Sequence, residues 1–200
     1  MVEPADTAYP VHELIARRWS PYVFAQREVG DADLAALFEA ARWAPSSYNE
    51  QPWRFAVARR GDRDAFAKLL SCLVEPNQAW AKDAAVLAIG IISRKFAKNG
   101  KPNAAAEHDL GLAAAQLTLE ATARGLAVHQ MIGILPDRAA DVLSIPADHA
   151  ALTALAIGYA GDPAAAGEMG ERDAARRGRR PLSEWVFGAE YGKPAPFVSR

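Results

Sequence analysis

Three clusters in this 200-residue chain hold side chains able to do chemistry. The first, RRWSPYVF over residues 17–24, sets Arg17 and Arg18 just ahead of the Ser20 hydroxyl, after a short apolar pattern of Val11, Leu14 and Ile15. Guanidinium forks and a hydroxyl are donors that grip a phosphate when they converge on one anion. Two solvated arginines stabilising the last carbonyls of a helix fit the same spacing. The second, APSSYNEQPW over residues 44–53, crowds Ser46, Ser47, Asn49 and Gln51 among two prolines and two aromatics. Side-chain amides both donate and accept, which suits a ring presenting C=O and N–H edges. A capping turn with Trp53 in the core also accounts for it. The third, RRGRRPLSEWV over residues 176–186, gathers four arginines. As a charge run it reads as a solvated surface, with a nucleic-acid patch the weaker reading.

Missing patterns narrow the field further. No GxGxxG follows a strand and no GxxxxGK[ST] occurs, so neither a Rossmann dinucleotide site nor a P-loop is signalled. There is no GxSxG elbow, and His12, His108, His129 and His149 form neither HExxH nor an i, i+4 pair. Elbow-type acyl transfer and zinc hydrolysis therefore lack their signatures. Neighbours on a helix point apart, so His108 and Asp109 read as surface or capping groups. Cys72, the single cysteine, shares an apolar helical side with Leu69, Leu70 and Leu73 and reads as core. Alone it forms no intrachain disulfide and no cysteine-based metal site, and none is expected.

The elements that must position these clusters follow from periodicity. Residues 31–43 place Leu34, Leu37, Phe38 and Ala41 at i, i+3, i+4 and i+7, with Asp31 as the cap and Pro45 beyond the end. Helical patterns recur over 62–73, over the long Ala-rich stretch 103–124 stopped by Gly125, and over 137–145 after Pro136. Short apolar runs at 54–58, 84–92, 126–131 and 151–159 read as strands. About four strands and about five helices in mixed order predict a layered α+β domain over residues 1–200, looser after 162. Hydrophobic content of 50% supports one sizeable core. A balance of 23 basic against 24 acidic residues gives no whole-chain reason to bind nucleic acid or an anionic membrane. The longest apolar run falls well short of the roughly 20 residues a bilayer span needs, and no signal-peptide core opens the chain. A soluble, cytoplasmic protein is expected.

Taken in order, the clusters resemble the nitroreductase family of FMN-dependent oxidoreductases over roughly residues 11–186. In that family an R-x-S-x-[RK] segment binds the flavin phosphate and ribityl chain; Arg18, Trp19 and Ser20 match its first three positions, with Arg17 immediately before. Its [SA]-P-S-x-x-N-x-Q-P-W loop meets the flavin, matched by Ala44, Pro45, Ser46, Asn49, Gln51, Pro52 and Trp53, with Ser47 inside the same loop. A G-L-x-x-x-x-M-x-G stretch is met by Gly125, Leu126, Met131 and Gly133. It implies that the backbone of Met131, Ile132 and Gly133 runs close to the isoalloxazine, where a side chain at Gly133 would collide with the ring. An [RK]-[RK]-P-L segment, here Arg179, Arg180, Pro181 and Leu182, implies a second arginine clamp on the phosphate. The last basic position of the first motif is Tyr22, which is left to face the ring or the substrate pocket.

The resemblance also implies a central, mainly antiparallel sheet flanked by helices, with the Ala-rich helix at a subunit interface. The core would span about residues 11–187, and the tail 188–200 would wrap the partner of a homodimer that holds two FMN sites lined by both chains. NAD(P)H would give hydride to flavin N5 and leave before a nitroaromatic, quinone or activated alkene enters. That ping-pong cycle needs no covalent catalytic residue and no separate nucleotide-binding domain. A specialised flavin dehydrogenase of the same fold and a non-catalytic flavin-binding protein are the alternatives.

Overall fold

Strand β2 (Val86–Ser93) is buried at every position but its last, as a strand covered on both faces must be. A computed structural model, which describes residues 3–175 and 178–198, sets it between β1 (Trp53–Arg59) and β4 (His149–Gly158). With β3 (Ala127–Met131) the sheet runs β1-β2-β4-β3, antiparallel throughout. Side chains alternate between two cores because a strand's period is two. Val86, Ala88 and Ile92, with Leu155 and Ile157, pack against α2 (Asp31–Arg42) and α5 (Ala106–Ala123). Leu87, Ile89 and Ile91, with Ala154 and Ala156, pack against α3 (Arg63–Leu70), α4 (Glu75–Ala81) and α6 (Pro136–Leu143).

One irregularity lies where α5 crosses the sheet. Gly90 pairs with Thr153 while Ile91 pairs with Ala151, so Leu152 is an extra residue in a bulge. A Cβ on Gly90 would come 2.7 Å from Thr153 Cγ2 and 3.4 Å from Leu110 of α5. Glycine at this position leaves room for the Thr153 side chain of the neighbouring strand.

The α+β class and the four antiparallel strands agree with the sequence reading, and the strand ends fall within two residues of those expected. Other parts are corrected. Residues 75–80, which lie outside every element expected from periodicity, belong to α4, whose Trp80 is buried. The stretch after 162 contains α7 (Gly167–Ala174), carrying the buried Asp173. A short α1 (Glu13–Arg17) precedes the first cluster. Asp31 is the first helical residue rather than the cap, which is Gly30, and its carboxylate pairs with Arg59. Cys72 is fully buried, and that burial pushes its thiol pKa up, as a core cysteine requires.

The C-terminal residues fold back on their own chain. Phe187 meets Tyr191 edge-on at 4.9 Å, Ala195 N donates to Val186 O at 3.0 Å, and Tyr9 Oη donates to Phe197 O at 3.3 Å. Arg176 and Arg177 of the arginine cluster, and residues 199–200 of the expected tail, lie outside the described residues. Among the described residues no helix is long and apolar enough to cross a membrane.

Candidate functional site

Arg18 leaves α1 in extended conformation (φ −62°, ψ 128°), so side chains over residues 17–20 alternate in direction. Arg18 and Ser20 face a cavity of about 330 Å³, and the guanidinium donates to Ser20 Oγ at 3.2 Å. Ala115, Thr118 and Leu119 of α5 and Val128 and Gln130 of β3 complete its wall. The Thr118 hydroxyl donates to Ala114 O at 2.7 Å and accepts from Gln130 Nε2 at 2.8 Å, which fixes the polar floor. Arg17 and Trp19 turn the other way, into a separate cavity of about 1400 Å³ that α7 and residues 3–6 also line. The first cluster is therefore split between two faces, Arg18 and Ser20 on one and Arg17 and Trp19 on the other.

The second cluster is the most strained backbone in the chain. Tyr48 (φ 54°), Asn49 (φ 56°) and Gln51 (φ 51°) are left-handed. Asparagine tolerates that region; Tyr48 and Gln51 cost on the order of 1 kcal/mol or more each and persist only where surroundings enforce them. Ser46 Oγ accepts from Gln51 N at 3.0 Å, and Gln51 Nε2 donates to Asn49 O at 3.0 Å and to Asn49 Oδ1 at 3.1 Å. Ser47 N donates to Asp109 Oδ2 at 3.1 Å. Asp109 is only 2% exposed and lies in the first turn of α5, where the helix dipole favours an anion. His108 is exposed as expected, but Asp109 is an interior anchor rather than a surface group. Pro45 stays exposed at the head of the loop, and Trp53 is in the core.

At the end of β3 the Met131 side chain enters the second core, while Ile132 is 87% exposed. A Cβ on Gly133 would run into the Asn77 side chain and come 3.0 Å from Val74 Cγ2. Within the chain itself, the side chains of α4 and its cap are what a Cβ at this position would meet. Asn77 Nδ2 and Val74 N both donate to Gly133 O, at 3.0 and 3.1 Å, and hold the 132–133 backbone in place.

Tyr22 is held differently from the expectation. Its N and that of Val23 donate to Asp173 at 2.8 and 2.9 Å, and its ring packs edge-on against Trp80 (5.2 Å) and His129 (4.7 Å) under the Arg172 guanidinium (5.3 Å). The ring lines neither cavity because these neighbours of its own chain occupy its faces. His129 Nδ1 faces the Pro21 carbonyl at 2.8 Å, which can only accept, so that nitrogen carries the proton. Burial lowers the His129 pKa against the opposing pull of Pro21 and Asp173. Arg179 and Arg180 are exposed; Arg179 donates to Gly178 O at 2.8 Å, and neither lines the Arg18 cavity.

Asp109, Asp173 and Asn77 were not among the sequence candidates. Asp109 had a usable signal, an acid opening the longest helix. Asp173 had none, because α7 lacks a readable apolar stripe, and Asn77 lies in a helix too short to show a period. The donors that are present fit FMN in parts: a guanidinium and hydroxyl for a phosphate and ribityl arm, an amide-rich loop for a ring edge, and an accessible backbone turn at Ile132.

Comparison with known proteins supports that fit. Residues 15–159 match the nitroreductase family. An uncharacterised 15.4 kDa protein of Mycolicibacterium smegmatis is 32% identical over 151 residues, covering 70% of this chain and 99% of the relative. Protein DrgA of Synechocystis is 30% identical over 175 residues, covering 74% and 80%. A crystal structure described as an oxidoreductase containing FMN superposes with a TM-score of 0.87 at 33% identity, over 94% of this chain and 96% of that one. A nitroreductase from Desulfovibrio desulfuricans, solved in complex with FMN, gives 0.71 at 25% identity, over 92% and 99%.

Two outcomes test these anchors. Asp109→Ala leaves the Ser47 amide without its acceptor, so it lowers unfolding free energy by about 1–3 kcal/mol and speeds amide exchange across residues 44–53, while Asp109→Asn, which keeps an acceptor oxygen, restores most of both. His129 has a folded pKa below its unfolded value of about 6.5. Its contribution is therefore complete above that pH and is lost as pH falls below it, because the unfolded chain then binds more protons. Urea midpoints measured from pH 7.5 to 5 decline less steeply in His129→Gln than in the parent; parallel slopes would exclude His129 as the titrating group.

Proposed function

This chain belongs to the nitroreductase family, and from that premise we propose that it is an FMN-dependent oxidoreductase passing reducing equivalents from NAD(P)H to a nitroaromatic, quinone or activated alkene. The observation that carries the reading is the Arg18–Ser20 pair, 3.2 Å apart, facing a cavity whose opposite wall is α5. Bound FMN supplies the two-electron chemistry between nicotinamide and acceptor. The chain's own residues supply position and charge. Arg18 and Ser20 hold the phosphate and ribityl arm, and the exposed Arg179 and Arg180 close over the phosphate from the C-terminal side. Asn49 and Gln51, with Ser46 and Ser47, offer donors and acceptors to the ring edge from a backbone that is already in its binding shape, so little ordering is left for the cofactor to impose. The backbone of Met131, Ile132 and Gly133 runs beside the ring, fixed from behind by Asn77. Nothing here requires a covalent catalytic residue.

A homodimer is part of the same proposal, and the spacing of these parts supports it. The 44–53 loop is anchored at Asp109 and the phosphate cavity at Thr118, nine residues on along α5. That is about 14 Å of helix rise, so the two halves lie far apart on one protomer. A second copy that brings its loop to the first copy's Arg18 cavity closes the site and covers exposed apolar groups such as Trp43 and Tyr48.

The purified protein is expected to be yellow, and anaerobic NADPH or NADH to bleach it; a colourless protein that neither binds added FMN nor lets it be reduced overturns the reading. Charge-assisted hydrogen bonds contribute about 1.5–3 kcal/mol, so Arg18→Ala and Arg180→Ala each weaken FMN retention by about one decade or more. An unchanged FMN dissociation constant, measured by fluorescence titration, removes that arginine from the site.

A further inference from the structure

The connection from β2 to α5 has no part in the site as described so far, yet it carries four basic side chains. Arg94, Lys95, Lys98 and Lys101 are all exposed there, and among the described residues none of them enters an ion pair. The segment is an ordered hairpin. Lys95 bridges Pro102, Phe96 N donates to Lys101 O at 2.9 Å, and Gly100 N returns to Phe96 O at 2.8 Å through a left-handed turn at Gly100 (φ 67°). It is tied to the strained loop at three points. Ala97 N donates to Glu50 Oε1 at 2.6 Å, the Phe96 and Tyr48 rings meet edge-on at 5.9 Å, and Ser93 N donates to Pro52 O at 2.9 Å. Two acids flank it: Glu50, which accepts from Ala97 N, and Asp148, whose carboxyl pKa is held down by the His149 hydrogen bond and, more weakly, by the charge of Lys95.

We propose that this hairpin reads the 2′-phosphate of NADPH, making NADPH the preferred reductant; the inference rests on the oxidoreductase reading above. NADPH and NADH differ only in that phosphate, so a preference between them needs cations placed away from the reacting nicotinamide and fixed relative to it. The hairpin meets both conditions, because its attachments run to the loop assigned to the ring edge. Unpaired ammonium groups give a phosphate charge-assisted hydrogen bonds without first breaking an existing pair. Neutral acceptors such as quinones and nitroaromatics gain nothing from four cations, and the phosphate of FMN is already assigned to Arg18 and Ser20.

The test compares the purified holoprotein with its Lys95→Ala/Lys98→Ala/Lys101→Ala variant. The parent is expected to show kcat/KM about tenfold higher for NADPH than for NADH, and the variant to lose that ratio through KM, with the corresponding triple arginine variant keeping it. Independently of turnover, calorimetric titration gives the parent about tenfold tighter binding of 2′,5′-ADP than of 5′-AMP, and the variant nearly equal binding. A ratio unchanged by the triple alanine substitution, or equal affinity of the parent for 2′,5′-ADP and 5′-AMP, overturns the proposal. So does an equal loss for NADH and NADPH, which would mean that the hairpin meets the shared diphosphate. A holoprotein bleached by NADH alone overturns this inference and leaves the oxidoreductase reading standing, whereas one bleached by neither nucleotide fails that reading itself.

Discussion

Two buried carboxylates, Asp109 and Asp173, hold down the two segments on which the candidate site depends. Each is at least 96% buried and each accepts from backbone amides of a segment that has no regular ladder of its own: Asp109 from Ser47, Asp173 from Tyr22 and Val23. Burying an anion is costly unless it is hydrogen-bonded, and a backbone amide without a partner is costly too. Joining the two costs into one bond makes each segment's conformation conditional on its carboxylate. The left-handed run of Tyr48, Asn49 and Gln51 and the extended run of residues 18–23 are thus consequences of where α5 and α7 present their acids.

The position of those acids is set by the sheet. Because β2 is covered on both faces and α5 packs on one of them in a shared core with Val86, Ala88 and Ile92, the helix axis is fixed relative to the central strands. Asp109 and Thr118 then stand at two stations along one rigid element, the first carrying the amide-rich loop and the second the floor of the Arg18 cavity. A rigid helix is a better spacer than a loop for holding two such stations in a set geometry. The same core fixes the far side, since the Met131 side chain is packed among Ile89, Trp80 and Ala154 and the exposed turn at Ile132 follows directly from it.

What was legible in the sequence divides along physical lines. The strands and the longer helices could be read because burial imposes a period on their side chains, and the loop over residues 44–53 because so many amides and hydroxyls seldom gather without a use. Arg18 and Ser20 could be read as a pair, but grouping Arg17 and Trp19 with them ignored the alternation that an extended backbone imposes. Tyr22 was assigned by elimination, and the ring instead joins Trp80 and His129, from elements far apart in sequence whose meeting no local pattern announces. Asp173 escaped for the same reason: a carboxylate that works through distant backbone amides looks, in one dimension, like any solvated acid.

Strain and charge at the loop support one another. A segment held at three left-handed residues stores free energy that relaxes if its supports loosen, so whatever else touches it must be rigid as well. The 94–102 hairpin satisfies that condition, with Ala97 pinned to Glu50 and its own turn closed at Gly100. Among the described residues its four basic side chains make no ion pair, and only Glu50 and Asp148 flank them. With four cations against two acids, the hairpin presents net positive charge at a fixed place beside the loop proposed for the ring edge, and an anionic group carried by a reductant gains most from charge placed there.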